Sequence, residues 1–379
     1  MNSEHSLPDI KLLIAIYILL AIGLSMLYSA SISISYKIYK VEYYIFLKQL
    51  IWAVIGSILF LILLNIDYNF FKRSARFFIL FAIFLLILVL IPGVGKEVNN
   101  SRSWIVIKGF TFQPAEFAKF ALIIYLSYIF SKKRRDGEDL NFFEAYLPAL
   151  IIISIIFFLV LLQPDFGTAF ILMAIAVTLT FISGVKTAYI INTIIFLLPF
   201  LYLLIFKVGY RKFRILTFLN PWSDPTGMGY NIIQSIKCFS YGKIFGVGFG
   251  KGIQKLYYLP QAHTDFIFSV VAEELGLLGI LWIIFIYVYI IYRIFRIIRK
   301  VEDRFAFFYS SGVLIILSYQ TLINLFVCTG LIPVTGTPLP FISYGGSSLI
   351  INMVSLGIVL NISREINRVN RSEVILSDE

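Results

Sequence analysis

Residues 146–183 read YLPALIIISIIFFLVLLQPDFGTAFILMAIAVTLTFIS. From Tyr146 to Leu162 there is no charged residue, and after the short turn Gln163-Pro-Asp a second apolar run extends to Ser183. Strands of a closed membrane barrel are about ten residues of alternating polarity. These runs are continuous and longer, so they read as helices that satisfy their backbone groups internally. Comparable runs recur at roughly 12–30, 45–66, 77–92, 115–131, 146–162, 166–183, 188–206, 266–292, 306–330 and 341–362. A span needs about 20 residues at roughly 1.5 Å per residue to cross a ~30 Å core. The expected fold is therefore an all-α polytopic integral membrane protein with about ten transmembrane helices.

Composition agrees. Of 379 residues, 59% are hydrophobic and 14% charged, and the mean hydropathy is +0.89. Soluble domains carry roughly 25% charged residues. A soluble globule, a disordered chain and a coiled coil are excluded, and no room remains for a large soluble domain beside the single membrane domain over 1–379. Cys238 and Cys328 lie far apart in no metal-binding spacing, so neither a disulfide framework nor a metal site is implied. The polar start MNSEHSLPDIK leads into an apolar run with no cleavage-like site, which reads as a retained first span.

The net charge is +11. In this setting it points to cytoplasmic loops and an anionic lipid-linked ligand rather than to nucleic acid. Clusters such as Lys72, Arg73 and Arg76, the KKRR at 132–135, and Arg293 to Arg304 bring seventeen Lys and Arg to one face, against six in the short loops opposite. The positive-inside rule places both termini in the cytoplasm. Residues 207–265, between spans seven and eight, form a long extracytoplasmic loop with eight basic residues, among them Arg211, Arg214 and Lys255. A basic, Gly- and aromatic-rich loop beside a membrane suits an anionic head group. A merely solvated loop is the other reading.

Four constellations fall on that outer face. Tyr258-Leu-Pro-Gln-Ala-His-Thr-Asp-Phe-Ile-Phe268 is followed by Glu273 and Glu274. Thr264 is placed to cap the eighth span with Asp265 in its first turn, so Asp265 is either a cap acid or a functional carboxylate at the membrane boundary. Helical rise puts Glu273 about 12 Å deeper, where acids mark function or a buried pairing. His263 suits capping or loop packing better than metal ligation. The second constellation is Asn100-Ser-Arg-Ser-Trp-Ile105 with Phe112-Gln-Pro-Ala-Glu-Phe-Ala-Lys119. Pro114 is placed to start a helix, and Glu116 and Lys119 share a face, either to hold helices together or to line a polar cavity. The third is Gln163-Pro-Asp-Phe-Gly-Thr168, with Asp165 as turn acid or site acid. The fourth, Pro338 to Ser348, is rich in small residues that favour close helix packing. Gly246-Val-Gly-Phe-Gly-Lys-Gly252 is a decoy: Phe245 stands where a phosphate loop needs glycine. Arg102, Glu116, Lys119, Asp165, the basic loop and Asp265 are expected to converge on one outward polar site.

These motifs, in this order, resemble the SEDS family (shape, elongation, division and sporulation proteins) of bacterial cell-wall glycosyltransferases. The resemblance runs from Leu27-Tyr-Ser-Ala-Ser31 to the Ile-Ser-Tyr-Gly-Gly-Ser-Ser entering span ten. Asn220-Pro-Trp-Ser-Asp-Pro225 and Gln254-Lys-Leu-Tyr-Tyr-Leu-Pro260 are more similar to the division branch than to the elongation branch. Two positions depart from the family pattern: Gln261, where Glu is frequent, and Ser103, where a second Arg is. The resemblance implies polymerisation of lipid II, an undecaprenyl diphosphate-linked disaccharide peptide, on the outer face of the bacterial inner membrane, at the division septum. It maps the family's essential aspartate onto Asp265, its fourth-helix pair onto Glu116 and Lys119, and its turn aspartate onto Asp165. A class B penicillin-binding protein transpeptidase and other division proteins are the implied partners.

On this reading Asp265 serves as general base to a sugar hydroxyl. A diphosphate leaving group needs no proton, only cations to steady its charge. Substrate-binding candidates are Arg102, Glu116, Lys119, Asp165, Arg211, Arg214, Lys255, His263 and Glu274. No cofactor is required by the sequence, and a divalent cation, Mg or Mn, is a candidate assistant. The rival readings are a lipid II flippase, which needs a polar path to the cytoplasmic side, and a non-catalytic scaffold of the division machinery.

Overall fold

The computed structural model describes residues 7–98, 101–107, 110–132, 142–206, 217–227 and 229–377. Each of the ten apolar runs forms a helix: α1 (Ile10–Tyr39), α2 (Tyr44–Leu63), α4 (Ala75–Leu90), α5 (Pro114–Lys132), α6 (Leu147–Leu162), α7 (Phe166–Ile182), α8 (Thr187–Phe206), α10 (Ile267–Ile298), α11 (Arg304–Cys328) and α12 (Gly346–Ser377). Between them lie the short α3 (Asn69–Arg73) and an amphipathic helix α9 (Tyr230–Gly242). Among the described residues seven helices are long and apolar enough to cross a membrane, while α4, α7 and the Thr187–Pro199 part of α8 are shorter apolar helices. The protein is a polytopic helical membrane protein.

Helix starts obey local chemistry. Asp9 caps α1 by accepting from the Leu12 amide at 3.0 Å, and Asp303 caps α11 through the Ala306 amide at 2.9 Å. Both caps also hold a cation: Arg293 Nη2 lies 2.5 Å from Asp9 and Lys72 Nζ 3.2 Å from Asp303. Pro114 opens α5 as expected, where its missing N–H leaves no helical bond unmade.

The centre of the bundle is α5, α11 and α12, with α5 packed on α4 and α11 and α12 on α2. Lipid gives apolar helices no hydrophobic reason to associate, so close approach and buried polar contacts hold them. A Cβ on Gly23 would fall 2.2 Å from the Phe341 carbonyl, so α1 sits directly on the backbone leading into α12.

The connections on the site's face differ from their expected form. Within 95–112, expected as a loop, the described residues form a three-stranded antiparallel sheet, β1 (Gly95–Val98), β2 (Ser101–Ile107) and β3 (Phe110–Phe112), in the order β1-β2-β3. The 207–265 segment is no bare loop, since it carries α9. Helix α10 begins at Ile267, with Phe266 as its first flanking residue and no side-chain cap. Thr264 therefore does not cap it; its hydroxyl bonds back to Gln261 Oε1 at 2.8 Å. The tenth run also divides: residues up to Gly345 stay irregular, and the helix starts at Gly346.

Helix α10 is divided near its start. Gly276 breaks α10 at φ 64°. The part after the break, Leu277–Ile298, is about 33 Å long and spans a ~30 Å core alone. Glu273 and Glu274 belong to the part before it, packed against the chain of residues 247–254.

Candidate functional site

Three successive carbonyls fix the segment that carries Asp265. His263 O accepts from the Tyr344 amide at 2.9 Å, Thr264 O from Ser343 Oγ at 2.6 Å, and Asp265 O from Asn324 Nδ2 at 2.8 Å. The Asn324 nitrogen also donates to Thr337 O at 2.8 Å, and Cys328 Sγ approaches Asp265 O at 3.4 Å. Helix α11 and the irregular chain between it and α12 thus clamp residues 263–265 together. A Cβ on Gly336 would lie 3.8 Å from Asp265 Oδ2, so the half-buried carboxylate faces the small residues 335–337.

The same irregular chain reaches the other constellations. Gly167, in the first turn of α7, packs on Thr335: a Cβ there would meet the Thr335 carbonyl at 2.2 Å. Two residues earlier Asp165 caps α7, accepting from the Thr168 amide at 3.1 Å and its hydroxyl at 2.9 Å. Gln113 Nε2 donates to Asp165 Oδ2 at 3.1 Å, while the Gln113 amide donates to Ser347 Oγ at 3.0 Å at the start of α12. One turn along α5, Lys119 Nζ lies 2.6 Å from Glu116 Oε1, and both side chains are almost wholly buried. Burial pushes the Asp165 carboxyl above its usual range, with Thr168 and the Lys119 charge pulling it back. Glu116 acts on Asp165 in the opposite sense, so the three charges form one electrostatic unit.

The sheet roofs this unit. Ser101 Oγ donates to Gln163 O at 2.5 Å, tying β2 to the turn that precedes Asp165. Arg102 comes next on β2, half-buried and opposite Glu97. The starts of α5, α7 and α12, the sheet and the segment before α10 therefore all contact residues 335–347, with Asp265 on one side of that connector and the Asp165–Glu116–Lys119 unit on another.

Other expected site residues stand elsewhere. For Glu274 the buried-pairing reading is the one the geometry shows: Lys255 Nζ lies 2.5 Å from Glu274 Oε1 and 2.6 Å from Ser29 Oγ, and it donates to Gly250 O at 2.9 Å. With 5% and 0% exposure, the pair clasps the 243–258 chain to α1 and α10 and offers a ligand no free charge. His263 is held beside Tyr344, ring centroids 6.0 Å apart, and burial lowers its pKa to about 4, so it is a neutral packing group at neutral pH. Arg211 and Arg214 lie outside the described residues. Among the described residues no three His, Cys, Asp or Glu side chains gather as a ready metal cradle.

Sequence reasoning missed Asn324 and Gln113, although each had a signal. Asn324 is a buried amide inside an apolar span, a costly placement that marks function or pairing. Gln113 precedes the Pro that opens α5.

The fold and the site define a polytopic membrane protein with Asp265 and the Asp165–Glu116–Lys119 unit held by one connector between α11 and α12. The chain belongs to the FtsW/RodA/SpoVE family of cell cycle proteins, whose model matches residues 10–368. It is 40% identical over 356 residues to the probable peptidoglycan glycosyltransferase FtsW of Geobacter metallireducens, covering 94% of each chain. It is 38% identical over 365 residues to the stage V sporulation protein E of Bacillus subtilis, covering 96% of this chain and 99% of that protein. Among solved structures it is similar to a chain from work on the structural coordination of polymerization and crosslinking by a peptidoglycan synthase complex, with TM-score 0.77, 29% identity, and 95% and 98% of the two chains covered. The rod shape determining protein RodA of Thermus thermophilus matches with TM-score 0.69, 26% identity, and 94% and 97% coverage.

Proposed function

We propose that Asp265 is the base with which this chain, a peptidoglycan glycosyltransferase, couples lipid II into glycan strands during cell division. The acceptor 4-OH gives its proton to the Asp265 carboxylate as its oxygen attacks the donor's anomeric carbon. The carbon–oxygen bond to the lipid diphosphate breaks, and the diphosphate leaves with the electron pair. Attack from the back of an α-linked donor gives a β-linked product. The observation that carries this reading is the clamp on residues 263–265: a base is effective when its position is fixed before the reaction, and three hydrogen bonds to successive backbone carbonyls fix this one while the residue stays half-buried.

Arg102 at the roof and the Glu116–Lys119–Asp165 unit are the described groups that supply charge beside the site. Arg102, half-buried on β2, is the described cation that opposes the charge growing on the leaving diphosphate; Lys119, buried and paired with Glu116, acts on the site through Asp165, and a divalent cation carried with the diphosphate would add to the cationic charge. The positive-inside rule supports cytoplasmic termini and an outward site, and the FtsW-named relatives support a place in the bacterial inner membrane at the septum. The likeness to a chain of a peptidoglycan synthase complex supports a crosslinking partner, a class B penicillin-binding protein. The test is purified protein in liposomes with labelled lipid II and the cognate transpeptidase. Polymer on a gel supports the reading; transbilayer movement of lipid II without polymer makes the chain a flippase, and neither makes it a scaffold.

A further inference from the structure

Helix α10 is continuous in outline and divided in its hydrogen bonds. Around the break at Gly276, backbone groups pair outside the helix. The Glu273 and Glu274 carbonyls accept from the Val247 and Gly248 amides at 2.9 and 3.0 Å, and the Leu277 and Leu278 amides donate to the Lys243 and Ile244 carbonyls at 3.0 and 3.2 Å. Residues 243–248 therefore run alongside 273–278. A Cβ on Gly246 would lie 2.2 Å from Glu274 O, and one on Gly276 2.3 Å from the Gly246 amide, so glycine at both places lets the two backbones touch. The two acids fasten the next stretch of chain: Glu273 Oε1 accepts from the Ile253 amide at 2.8 Å and Glu274 Oε2 from the Gly250 amide at 3.0 Å.

These bonds set the height of the segment. The membrane-crossing part of α10 begins at Leu277, and its first outward side chains, Leu277, Leu278 and Leu281, are about half exposed in the isolated chain, as lipid-facing residues are. Bonded to that rim, Ile244, Phe245, Phe249 and Ile253 are 54%, 79%, 51% and 59% exposed, and Lys243 and Lys251 are exposed beside them. Apolar side chains continuous with a lipid-facing helix and flanked by lysines match the chemistry of the boundary between acyl chains and head groups. Water would meet this cluster at a cost that hydrocarbon would not impose.

We propose that residues 243–253 are a membrane-surface anchor: Ile244, Phe245, Phe249 and Ile253 enter the bilayer leaflet on the Asp265 side of the protein, and Lys243 and Lys251 meet lipid phosphates there. The occupant of this face is the bilayer itself. Because the anchored chain continues directly into Tyr258–Asp265, the anchor holds the mouth of the site at a fixed height above the acyl chains.

A spin label on Phe245→Cys, in the full-length protein reconstituted into phosphatidylethanolamine and phosphatidylglycerol liposomes, tests this. Phe245 makes few contacts to lose, and Cys238 and Cys328 are fully buried, so the unsubstituted protein is the labelling blank. Glu42→Cys, exposed in the turn between α1 and α2, is the aqueous reference. The anchor predicts that molecular oxygen relaxes the Phe245 label more than a water-soluble nickel chelate does, with the order reversed at Glu42. Nickel accessibility at Phe245 equal to that at Glu42 would place the segment in water, and a label shielded from both reagents would mean that protein covers it; either result overturns the proposal.

Discussion

One amide nitrogen of Asn324 donates to two backbone carbonyls, Asp265 O and Thr337 O, each at 2.8 Å. The bond pair joins the start of α10 to the irregular chain before α12, and it comes from a side chain buried in α11. Positioning of the carboxylate is thus built into the centre of the bundle.

Replacing Asn324 with Leu removes both bonds and leaves buried carbonyls short of a donor, a loss of about 1–3 kcal/mol. We expect a lower thermal midpoint and a fall in kcat of roughly tenfold or more, since ~1.4 kcal/mol of lost transition-state stabilisation is a factor of ten. The apparent KM for lipid II should hold, because Asn324 acts through Asp265 and not on substrate. Unfolding scans and initial polymerisation rates check both parts.

The Glu116–Lys119 pair makes a prediction in which stability and activity separate. Lys119→Met alone strands a buried carboxylate, which costs about 3–5 kcal/mol. Adding Glu116→Gln removes the stranded charge and should restore much of the thermal midpoint. Polymer yield should stay low in both variants and well below that of Lys37→Ala. Recovery of activity together with stability would make the pair purely structural.

His263 gives the acid side of the stability curve a definite sign. Its folded pKa is about 4 because burial disfavours the imidazolium, whereas the unfolded chain takes up that proton near pH ~6.5. Between those values the unfolded state binds more protons, so stability falls as the pH drops from ~6.5 towards ~4 and levels off below. His263→Gln should flatten that interval in thermal unfolding at a series of pH values. An unchanged slope would show that the imidazole is already solvated in the native state.

Much of the fold was legible because a bilayer fixes how long a helix must be. All ten apolar runs became helices; most ends fell near those expected, but the first helix runs on to Tyr39 and the last starts at Gly346 and continues to Ser377, and Pro114 opened α5 where it stood. What escaped depends on distant backbone. Gly276 looks like any helix-packing glycine in the sequence; only the approach of residues 243–248 turns it into a break. Lys255 read as a charge beside an anionic ligand and Glu274 as a functional acid or one of a buried pair; Ser29 on α1 completes a closed clasp that joins the two. The sheet over 95–112 lacks the alternation that would announce strands. For the site, Asp265, Asp165, Glu116 and Lys119 were legible as ionisable residues at the ends of apolar runs. Their connector was not, because Ser343, Ser347 and the backbone of 335–344 act through geometry that residue type does not reveal.

The central claim is that one clamped carboxylate drives sugar coupling. Asp265→Asn keeps the size and the backbone bonds of the site and removes only the base. The decisive measurement is polymerisation of lipid II on a gel by the purified variant with its transpeptidase, against wild type at equal abundance and equal thermal midpoint. The account predicts a loss of at least about 10²-fold, the lower range for a positioned base; glycan strands formed by the Asn variant at the wild-type rate would contradict it.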